Sequence, residues 1–398
     1  MNQKGIALLV TLALISILMA AALELARRSA DSAEMDKRTA DRFQAEEMAK
    51  SGIDLAMFIL TRDAEQNDID SVQDIWADSE ILAAAVQLLG FQQGSLDIVI
   101  TDELGKIQIN ALLAQFPGSD INNDQSALWE RFLNMVISSD KSVDLRDPAE
   151  IINSLKDWLD SGDNDAISGL SGAESYYYEA LDPPVVCSNG PVNKVEELFM
   201  IKGIPRNLAS LPENMTELSK NLTDQFPAIS SPSIKSESSL NNPLGLSTSK
   251  PLGVSTSLDP SRIFTVYGID SSKKEGAKFT YPGTININTA DVPVLAAMLP
   301  PGMEDQASEL VSFRMEKEQT GRAFVNALDR GWYKRVIALS PKDNLEFERI
   351  ARYSSDMFRV DATAQLDDTS VSLTGFIKRE KRPKSGRWGC TILQLTAN

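Results

Sequence analysis

Lys4-Gly5-Ile6-Ala7-Leu8-Leu9-Val10-Thr11-Leu12-Ala13-Leu14-Ile15-Ser16-Ile17-Leu18-Met19-Ala20-Ala21-Ala22-Leu23 opens the chain with a short basic leader, one glycine and an uninterrupted apolar rod. An ordinary secretory signal carries its small-residue cleavage site after the apolar core, and Ala20-Ala21-Ala22 offers one here. Gly5, however, stands before the core, so a cut after it would leave the whole rod on the mature chain. The run Ile6 to Leu23 also has the length of a membrane anchor, about 17–25 residues. Three readings follow from the residues alone: an anchor kept after a cut at Gly5, an uncut anchor, or a discarded signal core. Arg27 and Arg28 follow the rod more densely than Lys4 precedes it, so charge bias does not orient the segment.

Beyond the rod the chain turns charged but has no Pro or Gly until Gly52. Glu24 and Arg28 are spaced for an i, i+4 pair, and Ala45, Met48, Ala49, Ile53, Ala56 and Leu60 recur at helical intervals. The pattern predicts one helix from Ile6 to about Leu60, roughly 80 Å long at ~1.5 Å per residue, or else two helices broken at Ser51-Gly52. Its second half would lay an apolar face on a globular part.

From Phe91 the period changes to two. Leu96, Ile98 and Ile100 alternate with Asp97 and Val99, and Asp102-Glu103-Leu104-Gly105 leads into Lys106-Ile107-Gln108-Ile109, which reads as a β-hairpin. Strand signals return at Phe358 to Ala364, Ser370 to Lys378 and Gly389 to Leu395. One antiparallel sheet is therefore expected in two pieces, with a long, mostly helical insert between them. The fold class is α+β: an N-terminal transmembrane and stalk helix, then a sheet domain interrupted by a large inserted helical domain. The expected boundaries are 1–5 for a leader, 6–60 for the helix, 61–111 with 353–398 for the divided α/β domain, and 112–352 for the insert. Within the insert, the Ser/Pro-rich stretch 227–260, with its repeat Pro243-Leu-Gly-Leu-Ser-Thr-Ser and Pro251-Leu-Gly-Val-Ser-Thr-Ser, reads as a flexible linker, because such composition cannot bury enough apolar area to order itself.

With 398 residues, an anchor and two globular parts fit the length. The chain carries 56 acidic and 39 basic residues, a net charge of −17, with no evident basic stripe, which disfavours nucleic-acid partners. It has 0 His, which removes Ser-His-Asp and Cys-His catalysis and every His-ligated metal. Cys187 and Cys390 lie far apart, and spacing leaves their pairing open.

Two phrases in the insert carry chemistry. Asp157-Trp-Leu-Asp160-Ser-Gly-Asp163-Asn-Asp165, followed by Gly172-Ala-Glu174-Ser-Tyr-Tyr-Tyr, gathers carboxylates in one Gly-interrupted loop. Such hard oxygen donors suit Ca²⁺, though the spacing is not that of an EF-hand. A solvated acidic loop is the plain alternative. Ile285-Asn286-Ile287-Asn288-Thr289-Ala290-Asp291 looks like helix-hairpin-helix text, but Pro300-Pro301-Gly302-Met303 lacks the second Gly, and residues 284–352 carry 10 acidic against 9 basic side chains. A packing role is favoured, with Thr289 or Asn288 as the cap of a helix starting near Asp291.

The Gly5-Ile6 junction ahead of an apolar rod resembles the leader of type IV pilins and type II secretion pseudopilins, and that resemblance implies cleavage between Gly5 and Ile6 with N-methylation of Ile6. Where the family pattern has Glu at mature position five, this chain has Val10, a departure shared by the minor pseudopilin K of type II secretion. The divided sheet, the Asp-Trp-x-Asp and Gly-Ala-Glu phrases and the Asn-x-Asn-Thr-Ala phrase resemble the same family, in the same order. What the resemblance implies is a non-enzymatic subunit at the pseudopilus tip that initiates or caps assembly for protein export. It is expected in the inner membrane with its bulk in the periplasm. Its expected partners are the minor pseudopilins I and J, other pseudopilus subunits and the prepilin peptidase, with no nucleic acid. Calcium is expected at Asp160, Asp163, Asp165 and Glu174, less firmly at Asp157. The rival readings are a periplasmic helix-hairpin-helix DNA-uptake protein and a membrane-anchored hydrolase using an Asp/Glu pair.

Overall fold

The computed structural model describes residues 3–139, 147–162, 167–169, 171–205, 208, 259–275, 278–319, 321 and 323–397. The linker expected at 227–260 lies almost wholly outside the described residues.

Helix α1 (Gln3–Gln66) runs unbroken for 64 residues, about 95 Å at ~1.5 Å per residue. Glu24–Arg28 and Glu34–Arg38 pair along it at 2.9 and 3.1 Å. From Leu8 onward its apolar segment is exposed, and it is long and apolar enough to cross a bilayer. The break considered at Ser51-Gly52 does not occur, because Gly52 is where the helix meets the sheet: a Cβ there would stand 3.2 Å from Ala362 Cβ and 3.2 Å from Leu96 Cδ1. Ala45, Met48, Ala49, Ile53, Ala56 and Leu60 are all buried, as their spacing predicts.

Helix α2 (Ser79–Gln87), capped by Asp78, leads to β1 (Ser95–Asp102). The chain then enters the insert with β2 (Ile107–Gln108), α3 (Asn123–Ser139), α4 (Pro148–Leu159) and α5 (Ser175–Glu179). Past the linker come β3 (Phe264–Thr265), β4 (Asp270–Glu275), β5 (Lys278–Thr280) and β6 (Ile285–Asn286). Helices α6 (Val292–Met298), α7 (Gln306–Met315) and α8 (Pro341–Ile350) and strand β7 (Ala351–Arg352) complete the insert. Strands β8 (Met357–Leu366), β9 (Thr369–Lys381) and β10 (Trp388–Ala397) then finish the first domain. Its sheet is antiparallel, in the order β1-β8-β9-β10, so the sequence halves do join in one sheet.

The expected β-hairpin does not form. Asp102 accepts from the Leu104 N–H at 2.8 Å and starts a 3₁₀ turn, after which β2 runs parallel to β3, 157 residues further on by register Ile107 to Phe264. The physical reason is the core that Ile107 and Ile109 reach. They are fully buried in the insert, beside Leu112, Trp129 and Phe132. Trp129 and Phe264 stack at 5.1 Å, and Phe132 meets Phe264 edge-on at 5.2 Å, so α3 and the segment after the linker share one aromatic cluster. A separate core lies between α1, α2 and the sheet. Cys187 is buried in the insert core and Cys390 lies beside Thr61 and Met57 of α1. No disulfide joins them, since they belong to different cores.

The direction of α1 sets the two ends of the first domain. Lys37 pairs with Asp367 in the β8–β9 turn at 2.9 Å, at the end nearer the apolar segment. Arg379 of β9 reaches the Leu60 carbonyl and Asp63, at the far end. The insert leaves after Asp102 and returns through Tyr353 and Ser355, which are tied to Asp70. It therefore stands beyond the end of α1 that is distal to the apolar segment.

Candidate functional site

The acidic loop is the first candidate. Pro148 and the Asp147 cap start α4, which carries Asp157 in its last turn and ends at Asp160. Glu174 sits at the N-cap of α5. Trp158 and Tyr178, edge-on at 4.8 Å, hold the two short helices together. Asp157, Asp160 and Glu174 are 0, 4 and 3 % exposed, and each offers an oxygen within 4.8 Å of the others. Asp163 and Asp165 lie outside the described residues.

Lys156 lies beside the three buried carboxylates, its Nζ 3.6 Å from Asp160 Oδ2. Burial pushes the Asp157 carboxyl above its usual range, although the Ser168 backbone and side chain and Lys156 pull the other way. The Ser168 N–H donates to Asp157 at 3.2 Å. Gly172 is required for this geometry, because a Cβ on it would overlap Asp157 Oδ2. Lys202 Nζ donates to the Ser171 and Gly172 carbonyls at 3.0 and 3.1 Å and fixes the loop. An all-oxygen, converging, buried donor set fits a hard divalent cation and suits Ca²⁺ better than softer metals.

The second constellation lies at the junction of the two cores. Arg379, 4 % exposed by its side chain, donates to both oxygens of Asp70 at 2.6 Å, to Asp63 at 3.1 Å and to the Ser355 carbonyl at 2.7 Å. Asp74 accepts from the Ser71 N–H at 2.6 Å beside them. With one guanidinium among three carboxylates, burial and mutual repulsion push Asp63 up to about 8 and Asp74 up to about 6.

The Asn-x-Asn-Thr-Ala phrase is part of this junction. Asn286 Nδ2 donates to Asp102 Oδ2 at 2.8 Å, to the Asp70 carbonyl at 3.0 Å and to Ser355 Oγ at 3.2 Å. Thr289 Oγ1 and Ser355 Oγ each donate to the same Asp102 oxygen at 2.6 Å. Asn288 donates to the Asp70 and Tyr353 carbonyls and accepts from Trp332 Nε1 at 2.6 Å. Arg314, wholly buried, donates to the Ile287 and Ala290 carbonyls at 2.9 and 2.6 Å. The cap expected from Thr289 or Asn288 is supplied by Asp291, which accepts from the Val292 N–H at 2.7 Å. Thr289 and Asn288 are committed to the junction instead, and a phrase buried in this way presents no phosphate-binding face.

Sequence reasoning found the phrase and its packing role but missed Asp63, Asp70 and Arg379. Only an alignment of contacts across more than 300 residues joins those three, and no local motif marks them.

The architecture is a stalk helix with an apolar start, laid on an antiparallel sheet that a helical domain divides. Two family models match within the insert, at residues 105–211 and 285–329, both described as protein K of the type II secretion system. The type II secretion system protein K of Klebsiella pneumoniae is 28% identical over 208 residues, 51% of this chain and 59% of that protein. The putative protein K of Escherichia coli K12 is 27% identical over 212 residues, 52% of this chain and 60% of that protein. The matched region thus spans about three fifths of these curated relatives. A chain of the solved GspK-GspI-GspJ complex from enterotoxigenic Escherichia coli shares the fold. Its TM-score is 0.54 at 12% identity, covering 92% of this chain and 99% of that one. The chain is thus similar to protein K of the type II secretion system, in sequence across parts of the insert and in overall fold.

Proposed function

We propose that the chain is a structural, non-enzymatic minor pseudopilin that initiates or caps a type II secretion pseudopilus at its tip. The observation that carries this reading is the placement of the insert beyond the distal end of α1. A subunit stacked above along the α1 axis would meet that bulk, so the chain suits the last position of a filament. Val10, apolar where the family pattern has an acid, gives the helix no carboxylate with which to recruit a neighbour above it.

On this reading the chain is cut between Gly5 and Ile6, methylated on Ile6, and held in the inner membrane with its globular part in the periplasm. The minor pseudopilins I and J are its immediate partners, a reading supported by the fold shared with a chain of the GspK-GspI-GspJ complex. Coexpression of the full chain with I and J from the same secretion system tests this. A stable three-component complex on size exclusion is expected, and a chain that stays monomeric at micromolar concentration would overturn the reading.

Calcium is proposed as a structural ion held by Asp157, Asp160 and Glu174, with Asp163 and Asp165 as further donors. The ion would supply charge neutralisation and a cross-link between the end of α4 and the start of α5. At about a hundredfold excess over its dissociation constant it would stabilise the folded chain by about 3 kcal/mol. The expected outcome is a higher melting temperature in millimolar calcium than in chelator, abolished by Asp160→Asn with Glu174→Gln. Equal melting in calcium and chelator would remove the ion from the account.

A further inference from the structure

We infer that the β9–β10 turn is a docking site for an acidic protein segment, presented at the end of the domain farthest from the membrane anchor. Between Lys378 and Arg387 the chain places six cations, Lys378, Arg379, Lys381, Arg382, Lys384 and Arg387, against one acid, Glu380. In a chain of net charge −17 this cluster vanishes from the overall balance, and the sequence reading of no basic stripe missed it. The fold concentrates it further. Arg379 is buried in the junction, while residues 381–387 are exposed without exception. Among the described residues, Lys381, Arg382, Lys384 and Arg387 form no salt bridge, and the only pairs in this stretch are those of Arg379 and a long Lys378–Glu380 contact at 4.0 Å.

The turn holds these charges in order. The Arg382 N–H donates to the Arg387 carbonyl at 2.8 Å, and the Gly386 N–H donates to the Arg382 carbonyl at 2.9 Å. Lys381 Nζ lies 6.0 Å from the centre of the Trp388 ring, and Arg379 lies over the same ring at 5.9 Å. Arg382 folds back along Gly389, whose missing side chain leaves room for its guanidinium. Cations held on a strand turn lose less freedom on binding than those on a tail, which favours a protein partner with fixed carboxylates.

Geometry and charge decide between the anionic partners. Cys390 and Arg379 fix the base of the turn to α1 near Thr61 and Asp63. From Leu25 to Thr61 the helix rises about 50 Å at ~1.5 Å per residue, many times the ~8 Å screening length at physiological salt. The headgroups of the membrane that α1 enters are thus out of reach. A long nucleic acid would meet the acidic remainder of the chain beyond a few contacts. A short acidic protein surface needs only the turn. The inference uses α1 as a ruler and goes beyond the tip-subunit reading, so a failure to join I and J leaves it standing.

The test uses the full chain in non-ionic detergent and fluorescence anisotropy with a labelled Asp-Ser repeat peptide. Binding is expected at low salt and should weaken about tenfold or more when salt is raised from about 50 to about 300 mM. Arg382→Glu with Lys384→Glu should weaken it at least about tenfold, with unchanged melting. The charge-matched control Lys278→Glu with Lys342→Glu should leave it within about twofold. An absent peptide signal at low salt, equal losses in both variants, or no loss in the first would overturn the inference. So would duplex DNA or phosphatidylglycerol vesicles binding through the same turn more tightly than the peptide.

Discussion

Arg379→Met lowers the stability of the globular part by about 3–5 kcal/mol at pH 8, the largest effect of any single substitution expected here. Arg379 joins β9 to Leu60 and Asp63 of α1, to Asp70 and to the Ser355 carbonyl. Methionine keeps the apolar length against Phe358, over which the guanidinium lies at 4.8 Å, but leaves Asp63, Asp70 and Asp74 without a cation. The loss depends on pH in a defined direction. Asp63 and Asp74 have pKa values raised above the 3.8 of a free Asp, to about 8 and about 6. A carboxyl raised on folding favours the folded state fully below its unfolded value, and that contribution fades as pH climbs through the folded one. Removing Arg379 raises both further, so the variant loses more at pH 8 than at pH 5. Thermal unfolding of the full chain in detergent at the two pH values checks this. A loss that is equal at both, or below about 1 kcal/mol, would mean the junction is solvated.

Asn286→Ala costs about 2–4 kcal/mol, because it strips donors from three partners at once. Asp102 Oδ2, the Asp70 carbonyl and Ser355 Oγ all accept from its amide, and its Oδ1 accepts from the Asn288 N–H at 3.2 Å. Asp102 is wholly buried, and burial already pushes its carboxyl up against the donors that hold it down. The variant leaves a buried acceptor short of a donor and loosens the insert from the sheet. Calorimetry is expected to show melting lowered by on the order of 5 °C or more, with new proteolytic cuts between Asp102 and Lys106. Asn286→Asp should be worse, since it sets a second carboxylate against Asp102. If Asn286→Ala melted like the parent, the phrase would not be the weld between the two cores.

The parts of the fold that were legible are those where one local period decides the structure. The face Ala45, Met48, Ala49, Ile53, Ala56 and Leu60 showed the stalk helix, and alternation at Leu96, Ile98 and Ile100 showed β1. The return of alternation at Phe358 implied a sheet closed across an insertion. What failed was Lys106 to Ile109. Its alternation was read correctly, but pairing depends on which core accepts Ile107 and Ile109, and that core is built by Trp129, Phe132 and Phe264 from distant segments. The acidic loop was visible as a charge cluster, and Asp157, least favoured there, proves as converged and more deeply buried than Asp160. Asp70 and Arg379 had no local mark, because their partnership arises only when α1, the insert and β9 meet.

The central claim is that the apolar rod stays on the mature chain as the root of a pseudopilus subunit. Intact mass and N-terminal sequencing of the chain, extracted from membranes of cells expressing its secretion machinery, test it most directly. The account predicts a start at Ile6 carrying one methyl group. A start near Ala22 or Leu23 would show the rod to be a discarded signal and would contradict it.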